Sequence, residues 1–439
     1  MQKEKLGLWS LVFMGLGNVI GAGVVTYIGV AVGHTGRSAW LAYLVAILLG
    51  FLVNLPVIFM TCAVRIKGGN YTCVSATMGD VLAGFFGISN LLQVFLFANF
   101  ALGMGSYLTI VFPAIPAKVW GVIGLTLFMV INLLGLKTLS RFQNIMSVVL
   151  VGSLLAIGVY GVAHGLPDSM DIMQAGYFSG GSGGFYQAVM VLFMSTQGYI
   201  MIAALSDNCK NPTRDLPLAN CIIPLILVII YGTVGFAMSN VLPVEETANQ
   251  TLVAVVGYFF NPVITTIFIF VGPVMALSST MNAFFSLTER PMIAVTKDGW
   301  LPAPVAALNR HGIAWKFILV EYLLGLIPIL MDLSIGTIVS NTTFLSSVGN
   351  IIVIIGTMLF PKRLEGAWEN RTWKFPMWLF MGSCVLALAI RVFMMYQSVL
   401  TANSSMLIGS VIGLVVILGW CFLRKKQGLV NVEKSWELK

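Results

Sequence analysis

Two short runs of glycine and polar residues interrupt otherwise apolar sequence, and they are where this chain could do chemistry. The first is Gly17-Asn18-Val19-Ile20-Gly21-Ala22-Gly23; the second is Ser195-Thr196-Gln197-Gly198, preceded by Met194. Three glycines within seven residues weaken a helix by about 1 kcal/mol each relative to alanine. They also bare the backbone for close approach. A half-helix beginning near Gly21 would aim its N–H groups and positive dipole end at an anionic group such as a carboxylate. The same residues satisfy the Gly-x-x-x-Gly pattern of small-residue helix packing, so this segment alone leaves both readings open. The second run sets three hydrogen-bonding side chains beside a helix breaker.

Other reactive groups are sparse. Cys62, Cys73, Cys209, Cys221, Cys384 and Cys421 show no CxxC spacing and predict neither a disulfide framework nor a metal site. His34, His164 and His311 fall in expected loops. No nucleophile–base or metal constellation shares one depth of the chain, so no enzyme and no cofactor is expected.

The elements that must hold the two runs follow from composition. The 439 residues are 58% hydrophobic and 9% charged, with a mean hydropathy of +0.94, against roughly 25% charged residues in soluble domains. The lipid bilayer must therefore be part of the solvent. The apolar stretch from Gly7 to about Val32 is too long for a signal-peptide core of about 7–15 residues, and reads as a retained helix. Apolar runs place twelve spans near 7–33, 38–64, 80–112, 118–136, 143–164, 183–206, 216–241, 251–288, 315–331, 335–360, 376–398 and 402–423. Those at 80–112 and 251–288 exceed one crossing and are expected to tilt or project. The ninth and tenth spans are divided only by a short link at Asp332.

With the N-terminus inside, all but Arg37, Lys118 and Arg391 of the 24 basic residues collect on the inner side. That asymmetry predicts an even number of spans with both termini cytoplasmic. The net charge of +8 is then an orientation device. No folded basic face remains for nucleic acid. The outer link at 165–182, with Asp168, Asp171 and a Gly/Ser-rich tail, reads as a flexible connector.

Spans one and six open two five-helix halves, a positional match to the paired interrupted helices of inverted-repeat transporters. At these residues the chain resembles the amino acid–polyamine–organocation superfamily. Gly17 to Gly23 looks like that family's unwound first helix, and Gly68-Gly69-Asn70-Tyr71 like its inner Gly-Gly-x-Tyr segment. Asn132 to Lys137 with Gln143, Asp207 to Pro212 with Leu216-Pro217, and Arg290 to Pro302 follow in the family's order.

The resemblance implies an all-α membrane protein of twelve transmembrane helices, a leucine-transporter-type 5+5 inverted repeat plus two C-terminal helices. A ten-helix core would run through residue 360, with repeats at about 7–164 and 183–360. Residues 361–439 would hold helices eleven and twelve and a short cytoplasmic tail. It further implies an amino-acid α-carboxylate at the backbone N–H groups of Ile20, Gly21, Ala22 and Gly23, an α-amino group near carbonyls at Asn18, Met194 and Ser195, and Val19, Thr196, Gln197 and Gly198 as further substrate-binding residues of the two breaks. Tyr107, Asn282 and Phe344 are the side chains that helices three, eight and ten would offer.

Two departures bear on charge and coupling. Members for cationic substrates often carry a carboxylate after the helix-six glycine, whereas Tyr199, Ile200 and Met201 follow Gly198 here. Relatives that work without sodium carry a lysine seven residues after the glutamine, and that position is Leu150. A neutral amino acid is the expected substrate, since a cation would enter a low-dielectric site without a counter-charge. Other amines or polyamines are the alternative in the same fold, and a non-transporting sensor is a third. Ser278 and Ser279 are candidate Na⁺ ligands, or helix residues bonded to their own carbonyls, so H⁺, Na⁺ or coupling-free exchange all stay open. Of the charged residues only Glu321 and Arg391 sit well inside the spans. Arg391 is expected to snorkel to the interface, and Glu321 to have a structural partner or an interfacial place.

Overall fold

The computed structural model describes residues 6–63, 65–66, 70–135, 139–167, 171–174, 176–200, 202–203, 209–432 and 436–437. In chain order the helices are α1 (Leu8–Val19), α2 (Ala22–Thr35), α3 (Ala39–Thr61), α4 (Asn70–Met78), α5 (Asp80–Ser89), α6 (Leu96–Val111) and α7 (Ala117–Leu133). Then come α8 (Leu139–Ala163), α9 (Gly181–Met194), α10 (Pro212–Asn240), α11 (Val244–Thr247), α12 (Val253–Phe259) and α13 (Pro262–Ile269). The rest are α14 (Met275–Lys297), α15 (Trp315–Leu330), α16 (Ile335–Arg363), α17 (Glu365–Glu369), α18 (Met377–Thr401) and α19 (Ser404–Lys426). A two-residue antiparallel pairing joins β1 (Arg65–Ile66) to β2 (Trp436–Glu437).

Backbone polar groups cannot be left bare in hydrocarbon, so an apolar chain of this kind satisfies them within helices. Among the described residues seven helical stretches are long and apolar enough to cross a membrane: Gly23–Thr61, Asp80–Val111, Pro212–Asn240, Pro262–Asn282, Ile335–Arg363, Met377–Thr401 and Ser404–Lys426. Leu8–Val19, Ala117–Leu133 and Val148–Ala163 are shorter apolar helices. Lipid-facing surfaces show in α19, where Val411, Ile412, Val415 and Val416 are all exposed.

One expected span is corrected. The run 251–288 is two pieces, with α12 ending at Phe259 and α13 starting at Pro262. Asn261 causes the break: its Oδ1 accepts from Ile264 N at 2.9 Å, with proline in the first turn of the new helix. Such a side-chain cap and a residue without N–H begin a helix rather than continue one. Residues 80–111 of the run 80–112 stay helical, α5 passing through a 3₁₀ stretch at Asn90–Phe95 into α6. At Asp332 the chain takes a positive φ of 53° between α15 and α16, and Lys118 Nζ pairs with its carboxylate at 2.6 Å.

Contacts between distant links define two ends of the bundle. At one end Lys210 N donates to Leu6 O at 2.9 Å, Thr372 N to Cys62 O at 2.9 Å, and Asn431 N to Asp298 O at 3.0 Å. Lys425 Nζ meets Asp80 Oδ2 there at 2.6 Å. At the other end Ser38 N donates to Tyr177 O at 3.1 Å and Arg37 Nη1 to Gln174 Oε1 at 2.9 Å.

Candidate functional site

The first run is a true interruption. Helix α1 stops at Val19 and α2 starts at Ala22, so only Ile20 and Gly21 are out of helix. Gly21 N turns to Val19 O at 3.1 Å instead of to the carbonyl four residues back. Val19 O also accepts from Tyr231 Oη of α10 at 2.8 Å. The start of α2 therefore lies mid-bundle, with Val19 and Ile20 almost wholly buried. A helix start in such low-dielectric surroundings attracts negative charge strongly.

The second run ends α9 at Met194 in the same way. Ser195 N and Thr196 N make tight bonds to Leu192 O and Phe193 O, both 3.0 Å, and a 3₁₀ turn begins at Gly198. The hydroxyls of Ser195 and Thr196 bond back to the same two carbonyls at 2.6 and 2.7 Å. Side-chain bonds of this type compete with the helix ladder and help end it.

The two interruptions pack directly on each other. A Cβ at Gly198 would stand 3.0 Å from the Asn18 carbonyl carbon and 3.1 Å from Val19 Cα. A Cβ at Gly23 would collide with Ser195 Cβ and lie 2.8 Å from Ser195 Cα. Any side chain at either position would wedge the breaks apart. Tyr43 Oη of α3 lies 2.9 Å from Ser195 Oγ, and its ring is 4.6 Å from that of Tyr231.

Beside the first break is a cavity of about 10 Å³ lined by Gly17, Ile20, Leu150, Met275, Ala276, Ser279 and Thr280. That is room for about one water or a bare cation. Thr280 Oγ1 donates to Ala276 O at 2.9 Å and is in contact with Gly21. Ser278, one residue before Ser279, is not at the cavity; its hydroxyl donates to Met104 Sδ at 3.5 Å. Of the two serines expected together, the helix turn brings only Ser279 to α1.

The other expected side chains are dispersed. Tyr107 is fully buried, but its hydroxyl donates to Val25 O at 2.7 Å and accepts from Leu252 N at 3.3 Å. Asn282 Oδ1 accepts from Asn132 Nδ2 at 2.9 Å. Phe344 and Ile200 are half-buried and pack against an apolar cluster that includes Val57, Phe86, Leu345 and Val353. Gln197 and Thr196 look toward α3, where a Cβ at Gly50 would stand 3.1 Å from Gln197 Nε2. Of Ala22 only the backbone is described. Residues 67–69, 136–138 and 204–208, and the side chains of Gln143 and Arg290, lie outside the described residues.

Two expectations about ionisable groups are corrected. Arg391 does not snorkel: it is 2% exposed, and Nη2 donates to Gln197 Oε1 at 2.6 Å. Glu321 is not interfacial; it is 0% exposed, and neither carboxylate oxygen has a hydrogen-bond partner among the described residues. Glu289 is a further buried carboxylate, accepting from Ala314 N at 2.8 Å.

Residues 10–431 match the family model described as "Amino acid permease". The chain belongs to the amino acid permease family, within the amino acid–polyamine–organocation superfamily. This permease is 26% identical over 356 residues to the branched-chain amino acid permease BcaP of Bacillus subtilis, covering 74% of this chain and 76% of that one. It is 24% identical over 440 residues to the serine/threonine exchanger SteT of Bacillus subtilis, covering 97% and 98%. A crystal structure of a mutant manganese transporter from Eremococcus coleocola superposes with a TM-score of 0.60 at 12% identity, covering 96% of both chains. That likeness is one of fold.

Tyr43 and Tyr231 buttress the breaks and were not among the expected site residues. A signal existed for the tyrosines, since a phenol in mid-span needs a hydrogen-bond partner. What the sequence lacked was the partner, which only the packing of α3 and α10 on α1 and α9 supplies.

Proposed function

We propose that this permease is a secondary transporter that carries a neutral amino acid across a cell membrane by alternating access. The observation that carries the reading is the contact between the α1 and α9 breaks at Gly198–Asn18 and Gly23–Ser195. Around it, the substrate carboxylate meets the N–H groups of Ile20 to Gly23, and the ammonium meets carbonyls near Asn18, Val19, Met194 and Ser195. Each polarity then faces its complement: the positive start of α2 and the negative end of α9. No Asp or Glu occurs in residues 6–79 or 172–206, which favours a substrate without a positive side chain. The branched-chain and serine/threonine relatives support that class.

In this reading twelve spans cross the membrane, α1–α2 together forming the first, and both termini are cytoplasmic. The core ends near residue 360, and one helical bundle rocks against the other around the two breaks. The cavity at Ser279 and Thr280 is where a coupling Na⁺ would bind. With Leu150 on its wall instead of lysine, no ammonium fills that space.

The test is uptake and counterflow of radiolabelled amino acids in proteoliposomes, with Na⁺ and the pH gradient varied separately. Exchange of branched-chain or small neutral amino acids is expected. Exchange confined to lysine, arginine or polyamines would overturn the substrate class, and no exchange of any amine would overturn transport itself.

A further inference from the structure

Helix α18 lies outside the ten-helix core proposed above, yet one of its side chains reaches the α9 break. Arg391 is 2% exposed, and its Nη2 donates to Gln197 Oε1 at 2.6 Å. Its guanidinium carbon stands 5.0 Å from the centroid of the Phe193 ring. Nε and Nη1 have no hydrogen-bond partner among the described residues. Gln197 is held from its other side, Nε2 donating to Thr196 Oγ1 at 3.1 Å and Thr196 Oγ1 to Phe193 O at 2.7 Å.

A guanidinium kept from water inside a membrane protein is costly, and one near a helix end normally reaches for the interface. Arg391 instead turns to the end of α9. Three features there offset the cost in part: the Gln197 amide oxygen, the Phe193 ring face, and the negative end of the α9 dipole. An apolar side chain would pack α18 against α9 with no such cost. The guanidinium therefore serves something that packing does not.

We propose that Arg391 is a positioning residue of the transport site. It fixes the unwound Ser195–Gly198 segment through Gln197, and so makes α18 a working part of the site. Arg391 does not touch the substrate; it sets the backbone carbonyls that do. The role rests on the reading of the α1 and α9 breaks as the amino-acid site.

The experiment is counterflow kinetics in proteoliposomes with thermal melting of the same preparations. Arg391→Met and Gln197→Leu are each expected to raise KM about tenfold, the loss expected of a hydrogen bond to a charged group. The double variant is expected to be no worse than either single one. Arg391→Lys restores part of the affinity, since an ammonium can donate to the same oxygen. Gln197→Glu, whose carboxylate still accepts from Arg391, is expected to lose less affinity than Gln197→Leu while Arg391 is present, and to lose transport in the Arg391→Met background, where a buried carboxylate stands alone. A purely structural contact would lower the melting temperature and the amount of active protein while leaving KM alone.

An Arg391→Met KM within about twofold of the unaltered protein, or additive effects in the double variant, would overturn the role. Should Arg391→Met not fold, the contrast between Gln197→Leu and Gln197→Glu carries the test, and equal KM values for the two would overturn it. A parent protein that exchanges no amino acid would instead strike down the transport reading and this role with it, a different outcome from active transport indifferent to Arg391.

Discussion

Tyr231 Oη donates to the carbonyl of Val19 at 2.8 Å, closing the last carbonyl of α1 where the helix stops. The phenol comes from α10, so two helices that are far apart in sequence meet at the residue before the break. Tyr231→Phe keeps the ring and its packing against Tyr43 while leaving that carbonyl one donor short. A neutral hydrogen bond lost in this way costs about 1 kcal/mol. The expected result is an equivalent drop in stability by thermal melting, with exchange weakened by less than about tenfold. An unchanged melting temperature would mean that the bond supports nothing.

The backbone contact at Gly198 gives a sharper test. Gly198→Ala would push a Cβ to 3.0 Å from the Asn18 carbonyl carbon, a contact that backbone on both sides resists. Exchange should fall by at least about a hundredfold, because shifts of this size at a binding centre cost that much. Gly152→Ala is the control: its Cβ would meet nothing within 4 Å. Counterflow rates for the two variants, normalised to folded protein, decide it. Equal activity would separate the breaks from the substrate.

The cavity distinguishes two adjacent hydroxyls. Ser279 lines it and Ser278 bonds toward Met104, so only Ser279→Ala should alter a dependence on Na⁺. The measurement is a Na⁺ titration of uptake for the parent and both variants. Equal shifts in Ser278→Ala and Ser279→Ala, or uptake flat in Na⁺ for the parent, would take the cation out of this cavity.

The positions of the breaks were legible because glycine clusters and hydroxyl runs are rare in apolar helices and carry a physical cost there. The interruption at Ile20–Gly21 lies inside the expected Gly17–Gly23 run, and α9 ends next to Ser195. Contact between them was not legible, since it depends on α1 and α9 packing together. The Asn261 break in the expected eighth span was written in an Asn-Pro cap signal but hidden by the continuous hydropathy around it. Arg391 went wrong for a related reason: its depth along α18 says nothing about which neighbour it faces. Tyr107 and Asn282 had suitable chemistry, but packing turned their polar groups to Leu252, Val25 and Asn132.

Glu321 supplies the last test. Its carboxylate is fully buried in α15, and no described group donates to either oxygen. The nearby Thr288 hydroxyl gives its own proton to Phe284 O at 2.8 Å. Burying a polar group without a partner costs roughly 1–3 kcal/mol in proteins. If the residue serves only the core, Glu321→Met, similar in length and apolar, should raise the thermal stability of the purified permease by about that much while leaving exchange intact. If it takes up the transported proton, the same variant gains stability but loses any response to an inward pH gradient, and Glu321→Asp retains part of it. Melting curves and ΔpH-driven uptake on the same preparations separate the two. A marked loss of stability in Glu321→Met would contradict both, because it would require a bonded carboxylate at this position.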